Sequence, residues 1–406
     1  MNMSATTAGK SGRNLVVCCD GTNNQFGKEN TNVIRLVQIV ERDPERQRLY
    51  YQPGVGTLPE PNALMKGWTK VYDILGLAFG MGVLENIRDA YRFLMEVWEP
   101  GDRIFLFGFS RGAYSVRVLA GMLHTIGLLG RGSVEMVPYA MRIYKQLNDE
   151  KDSKSLERWK ALCDNFRWTF ARPMSHDDEE RRCHVHFMGV WDTVSSVGWV
   201  ANPAKFPYTA SNPSVKTIRH AISLDERRAF FRQNVFHMAI ATQDLKEIWF
   251  PGVHCDVGGG YPFLFASNPD VYSELWRLPF EWIITEARHE GLIIDEERLT
   301  KILKNTSARV VWADPVHDSL VGPWGLAEYW PKRAWNREKK AYEWRANKRA
   351  ARAIPESALI HRSVLERLKD DSLNYSPVNI TEEFRASVRN RQDLPEVLPY
   401  TSKPVS

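Results

Sequence analysis

The sequence lacks the features of a membrane-spanning, disulfide-framed or metal-clustered protein. No apolar run approaches the ~18 residues that cross a bilayer. The opening MNMSATTAGKSGR holds no apolar segment, so no Sec-type signal peptide is expected. Five cysteines (Cys18, Cys19, Cys163, Cys183, Cys255) are few for 406 residues, odd in number and without metal-ligand spacing. A reduced, cytoplasmic setting is expected rather than a disulfide framework. Repeats and low-complexity tracts are missing too. Net charge is only +5 and no nucleic-acid-binding motif accompanies it, so no nucleic-acid partner is expected. Residues 331–352 carry nine Lys/Arg against two Asp/Glu, or +7, which leaves −2 for the rest of the chain. That segment is a candidate for peripheral contact with an anionic membrane surface; a solvated charged helix is the plainer alternative.

What is present begins with an ordinary globular balance, 43% apolar and 25% charged, enough for a large core. The most informative stretch is RIFLFGFSRGAYSVRVLAGMLHTIGLL, residues 103–129. Ile104 to Phe107 reads as a buried parallel strand, and Val116, Leu119, Leu123 and Ile126 recur with helical period. Between them lies Gly108-Phe109-Ser110-Arg111-Gly112. Strand, G-x-S-x-G turn and helix together predict a nucleophile elbow at Ser110. Gly108 and Gly112 flank it because side chains there would collide with strand and helix. A plain turn with Ser110 as helix cap is the alternative.

Other elements follow in order. NLVVCC (14–19) predicts a first strand ending in Asp20-Gly21-Thr22, with Cys18 and Cys19 on opposite faces. A short helix is expected over 32–42, a strand over 48–52, and a helix through Val83, Ile87, Ala90, Leu94 and Val97. The stretch 54–82 holds six glycines among large apolar residues, which suits a mobile flap or a packed loop. Strands are expected at 183–191, 236–241 and 247–253, a helix at 213–222, a helix at 278–292 and a strand at 308–312. The alternation predicts a three-layer, α/β-hydrolase-like fold with a mostly parallel central sheet. Residues 1–13 read as disordered and 14–262 as the core, with a helical insertion at about 133–182. A Trp-rich cap or elaboration follows over 263–394, and 395–406 reads as a tail.

A serine needs a base, and the base needs an orienting carboxylate, in the chain order Ser, acid, His for this fold. Asp192 ends one predicted strand and His254 another, so both share the sheet edge of Ser110. Of ten histidines, His184 and His186 are expected to pack within a strand, while His254 precedes a triple glycine. Asp256 and Asp20 are alternative acids. The three aspartates could also hold a divalent cation, but oxygen-ligand sites have no reliable spacing, and neither metal nor cofactor is assigned. For an oxyanion hole the backbone N–H of Arg111 and that of Gly21 or Thr22 are the candidates, with a plain turn the alternative at the latter.

VVCCDGTNN, YYQPGVGT, GFSRGAYSVR, GVWDTVSSVG, SLDERRAFF and FPGVHCDVGGGY occur in that order. Together they resemble an α/β-hydrolase family, long labelled a domain of unknown function, that includes phospholipase effectors of bacterial type VI secretion. The resemblance covers most of residues 14–262, with a fainter echo at 360–368 and 374–380. It implies the nucleophile at Ser110, the acid at Asp192, the base at His254, and membrane-lipid esters as substrate. The expectation is therefore a serine carboxylic-ester hydrolase of phospholipase type. Hydrolysis of a small soluble ester, thioester or amide, and a non-catalytic binding protein on the same fold, are the other readings.

Overall fold

In the computed structural model, residues 12–21, 30–54, 84–146, 153–175, 178–194, 198–199, 202–203, 206–228, 231–260, 273–304, 310–320, 325, 328–329, 332–336 and 341–402 are described. Eight strands form one sheet: β1 (Asn14–Cys19), β2 (Gln47–Gln52), β3 (Arg103–Phe109), β4 (Val185–Trp191), β5 (Val215–Ser223), β6 (Asp244–Phe250), β7 (Leu359–His361) and β8 (Val397–Pro399). Their spatial order is β8-β7-β6-β5-β4-β3-β1-β2, all parallel except the β7–β8 pair. The chain leaves β1 for β2 on one side and returns to β3 on the other. That reversal is a topological switch point, where open α/β sheets hold their ligands.

The sheet is covered on both faces. Beneath one lie α2 (84–97), α3 (Arg111–Ile126), α4 (Val137–Lys145) and α5 (Ser153–Phe170), packed on Leu15, Val17, Cys19, Ile104 and Leu106. The other face carries α1 (Asn32–Ile39), the short α6 (His254–Gly258) and α7 (Arg277–His289), packed on Val16, Cys18, Phe105 and Phe107. Cys18 and Cys19 do point to opposite faces, as the period of a strand requires. All five cysteines are unpaired. An additional helix, α8 (Glu296–Leu303), packs its apolar side toward the α1 face. Finally, α9 (Arg362–Lys369) and α10 (Glu382–Arg389) bury Val364, Leu365, Phe384 and Val388 against Ile222 and Trp249.

Several expectations are corrected. The helix expected at 213–222 is the central strand β5. Its Val215, Ile218, Ala221 and Ile222 mimic helical spacing because a parallel strand buried on both faces has no polar alternation. Its buried Arg219 is satisfied by Asp244 and Glu286, at 2.5 Å each. No strand forms over 236–241: Phe236 N donates to the Glu247 carboxylate and Ala239 N to the Gln243 amide, so side chains replace a ladder. His184 is exposed just before β4 rather than packed within it. The described part of 308–312 runs into a 3-10 turn, Val311–Ala313. The glycine-rich 55–83 lies outside the described residues.

The core does not stop at residue 262. Helix α7 buries Phe280, Ile283 and Ala287 on the sheet, with Trp282 and Trp276 packed into the same cluster. Nor is the segment after 395 a free tail, since β8 pairs with β7 and Tyr400 is buried.

Gly112 places α3 against β1. A Cβ there would lie 2.1 Å from the Cys19 carbonyl oxygen and 2.6 Å from that of Asp20, both backbone atoms that cannot swing away. Gly112→Ala is expected to destabilise the protein by about 3 kcal/mol. A urea unfolding midpoint equal to wild type would contradict this packing.

Candidate active site

Ser110 stands between β3 and α3 with φ 57° and ψ −122°, a strained conformation for a residue bearing a Cβ. The turn is over-determined. Ser110 N donates to Trp191 O at 3.1 Å, while Tyr114 N and Val194 N both donate to Ser110 O at 3.3 Å. Gly108 allows the approach, since a Cβ on it would lie 2.6 Å from the Gly112 backbone. The hydroxyl therefore projects at the carboxyl edge of the sheet, and the residue is 8% exposed.

Asp192 follows β4 on the neighbouring strand and also has positive φ, 39°. His254 opens α6 rather than ending a strand, because β6 stops at Phe250 and the chain turns through Gly252. Three chain-distant residues thus meet. His254 Nε2 is 2.8 Å from Ser110 Oγ, and His254 Nδ1 is 2.6 Å from Asp192 Oδ2. The imidazole is held between the rings of Phe109 and Phe231, at 4.6 and 4.7 Å between centroids. An imidazole in this position can take the hydroxyl proton while the carboxylate fixes its tautomer.

Burial lowers the affinity of His254 for a second proton, and Asp192 opposes that effect only in part, so the ring is held below its ordinary value. It is neutral, and able to act as a base, at neutral pH. Burial by itself would raise Asp192. The charge of Arg352 and the hydrogen bonds from His254 and Arg352 overcome it and hold the carboxyl well below the usual range.

Two neighbours were not legible as site residues. Arg352 is 6% exposed and grips both Asp192 oxygens, Nη1 to Oδ1 at 2.5 Å and Nη2 to Oδ2 at 3.0 Å. It closes the basic 331–352 segment, by sequence a candidate membrane contact or a solvated helix, and its burial removes it from any such surface. Fully buried Glu226 accepts the backbone N–H of His254 at 3.1 Å and pairs with Arg228 at 2.9 Å. Burial would raise Glu226, but Arg228 brings it down to about 2. The sequence held Glu226 and Arg228 in SLDERRAFF without any local sign of their partners.

The alternative acids are directed elsewhere. Asp256 accepts from Val253 N at 3.0 Å and is bonded to the His317 ring. Asp20 Oδ2 accepts from Thr31 Oγ1 at 2.7 Å and from the Tyr51 hydroxyl at 3.2 Å. Of the oxyanion candidates, Arg111 is the first residue of α3, beside Ser110. Gly21 N donates to Asp20 Oδ1 at 2.7 Å, and Thr22 lies outside the described residues.

A Saccharomyces cerevisiae protein, "Uncharacterized protein YEL023C", is 38% identical over 240 residues, 56% of this chain and 33% of that protein. An uncharacterized Pseudomonas aeruginosa protein of known structure aligns over 72% of this chain and 48% of its own, at 19% identity and TM-score 0.41. The structure of the Tle1 effector bound to the VgrG spike of the type 6 secretion system aligns over 62% of this chain and 52% of that one, at 19% identity and TM-score 0.34. The chain thus spans a third to a half of the length of these relatives. Residues 13–286 match the family described as "T6SS, Phospholipase effector Tle1-like, catalytic domain". The chain belongs to the Tle1-like phospholipase-effector family through that catalytic domain.

Proposed function

We propose that this protein is a serine hydrolase of lipid carboxylic esters, working through an acyl-enzyme. The observation that carries this reading is the Ser110–His254–Asp192 relay, at 2.8 and 2.6 Å. Ser110 Oγ attacks the ester carbonyl as His254 Nε2 takes its proton. The proton then passes to the leaving alcohol, and a water activated by the same imidazole releases the acid. Arg111 N–H, at the start of α3, would face the developing oxyanion, with Gly21 or Thr22 as second donor. For Gly21 this means releasing the Asp20 side chain it now holds. The lipid assignment rests on membership of a phospholipase-effector family.

The test pairs a fluorophosphonate serine probe with two substrates, phospholipid vesicles and a short-chain soluble ester. Wild type should label, release fatty acid from vesicles, and turn over faster at that interface than on the monomeric ester. Labelling with hydrolysis of only the soluble ester would replace lipid by small-molecule substrate. A folded wild type that never labels would sink the hydrolase reading.

A further inference from the structure

We infer that Arg352, from the C-terminal part of the chain, is a positioning residue for the reaction: it fixes Asp192 in the orientation that holds His254. The inference rests on the proposed hydrolase function. The contact itself is unusually complete. The guanidinium fork spans both carboxylate oxygens, and Nη1 also donates to Ser223 O at 3.1 Å and Ser223 Oγ at 2.7 Å. Nε donates to Phe231 O at 3.1 Å, the residue whose ring lies against the imidazole. The Arg352 carbonyl is tied in turn by Asn379 Nδ2 at 3.1 Å, and the same amide group donates to Leu224 O at 3.0 Å. Ser223 N supplies a further bond to Asp192 Oδ1 at 2.9 Å. One side chain therefore joins the ends of β4 and β5 to the loop over the base.

A buried carboxylate without a compensating cation would be costly to keep charged, and free to rotate toward any donor. A planar fork fixes both its charge and its rotation, which a lysine ammonium cannot do. Arg352 lies beyond residue 286, where the family match ends. The working site of this chain is therefore larger than the matched segment.

Among the described residues, the charged groups that act on the imidazole are Asp192, Glu226 and Arg228, with Arg352 behind Asp192. Asp256, on the same helix, is turned to His317. Removing the Arg352 charge leaves Asp192 a stronger attractor of a proton on His254. The acid limb of the reaction must then move to higher pH. A merely structural loss lowers the rate equally at every pH.

The full-length chain and its variants are compared by the rate of fluorophosphonate labelling from pH 5.5 to 9. Arg352→Met should label about 10-fold more slowly at pH 9 and several-fold more slowly again at pH 5.5, as the midpoint rises by about one unit. Arg352→Lys keeps the charge but not the fork; its midpoint should stay in place and its rate fall by about 10-fold. A folded Arg352→Met with the wild-type midpoint overturns the inference, whether its rate is normal or uniformly reduced. Should that variant not fold, a wild-type rate in Arg352→Lys overturns it instead. Failure of the hydrolase reading is seen separately, as a wild type that does not label or a Ser110→Ala that labels equally well, and it removes the inference with it.

Discussion

Ser110→Ala is expected to abolish fluorophosphonate labelling and to slow ester hydrolysis by roughly five to six orders of magnitude. The argument is local. The hydroxyl lies 2.8 Å from the imidazole of His254, which Asp192 orients. Because Ser110 holds φ at 57°, the same position offers a control that separates chemistry from folding. Ser110→Gly removes the Cβ from a conformation that glycine tolerates, so it should lose activity to the same extent while gaining about 1 kcal/mol of stability. Activity measured with and without a reactive-serine inhibitor, beside urea unfolding, reads both effects. An active Ser110→Ala protein would place the nucleophile elsewhere.

Asp192→Asn should reduce labelling and hydrolysis by about 10⁴-fold, since an amide cannot hold the imidazole in the required tautomer or support its positive charge. It also leaves the buried Arg352 guanidinium facing a neutral group, a loss of about 3 kcal/mol. Asp256→Asn is the informative comparison. Its carboxylate serves Val253 N and the His317 ring rather than His254, so labelling should fall by no more than about 10-fold. The reverse ranking would move the acid to Asp256. The pH dependence has a defined sign. Burial lowers His254 from its ordinary value, so labelling should be complete at neutral pH and fall only below about pH 6.5.

The elbow and the sheet edge were legible because they depend on neighbours in sequence. A buried apolar run, two glycines around a serine and a helical repeat announce themselves within 27 residues, 103–129. Asp192 and His254 were reachable because parallel strands deliver their C-terminal ends to one edge. Failures came where local pattern and environment diverge. Strand β5 lost its alternation because both faces are buried, so it carries the spacing of a helix. Residues 236–241 have strand composition, yet Met238 and Ile240 are exposed there, so burial never enforced a ladder. Arg352 shared a segment with eight other basic residues, and only the folded chain distinguishes it, by a contact spanning 160 positions. Glu226 was hidden for the same reason.

The grip of Arg352 on Asp192 also sets an order of events during synthesis. Ser110, Asp192 and His254 all leave the ribosome before Arg352, and at ordinary elongation rates the wait after His254 is roughly 5 to 20 seconds. Through that interval the carboxylate has no cation to enter the core with, so the native seating of Asp192 is disfavoured. The nascent chain carries Ser110 and His254 but not yet the cation that fixes Asp192 beside the imidazole. On the proposed reading the relay is complete only once residue 352 has been made, and a chain cut short before it would present Ser110 without the group that seats Asp192.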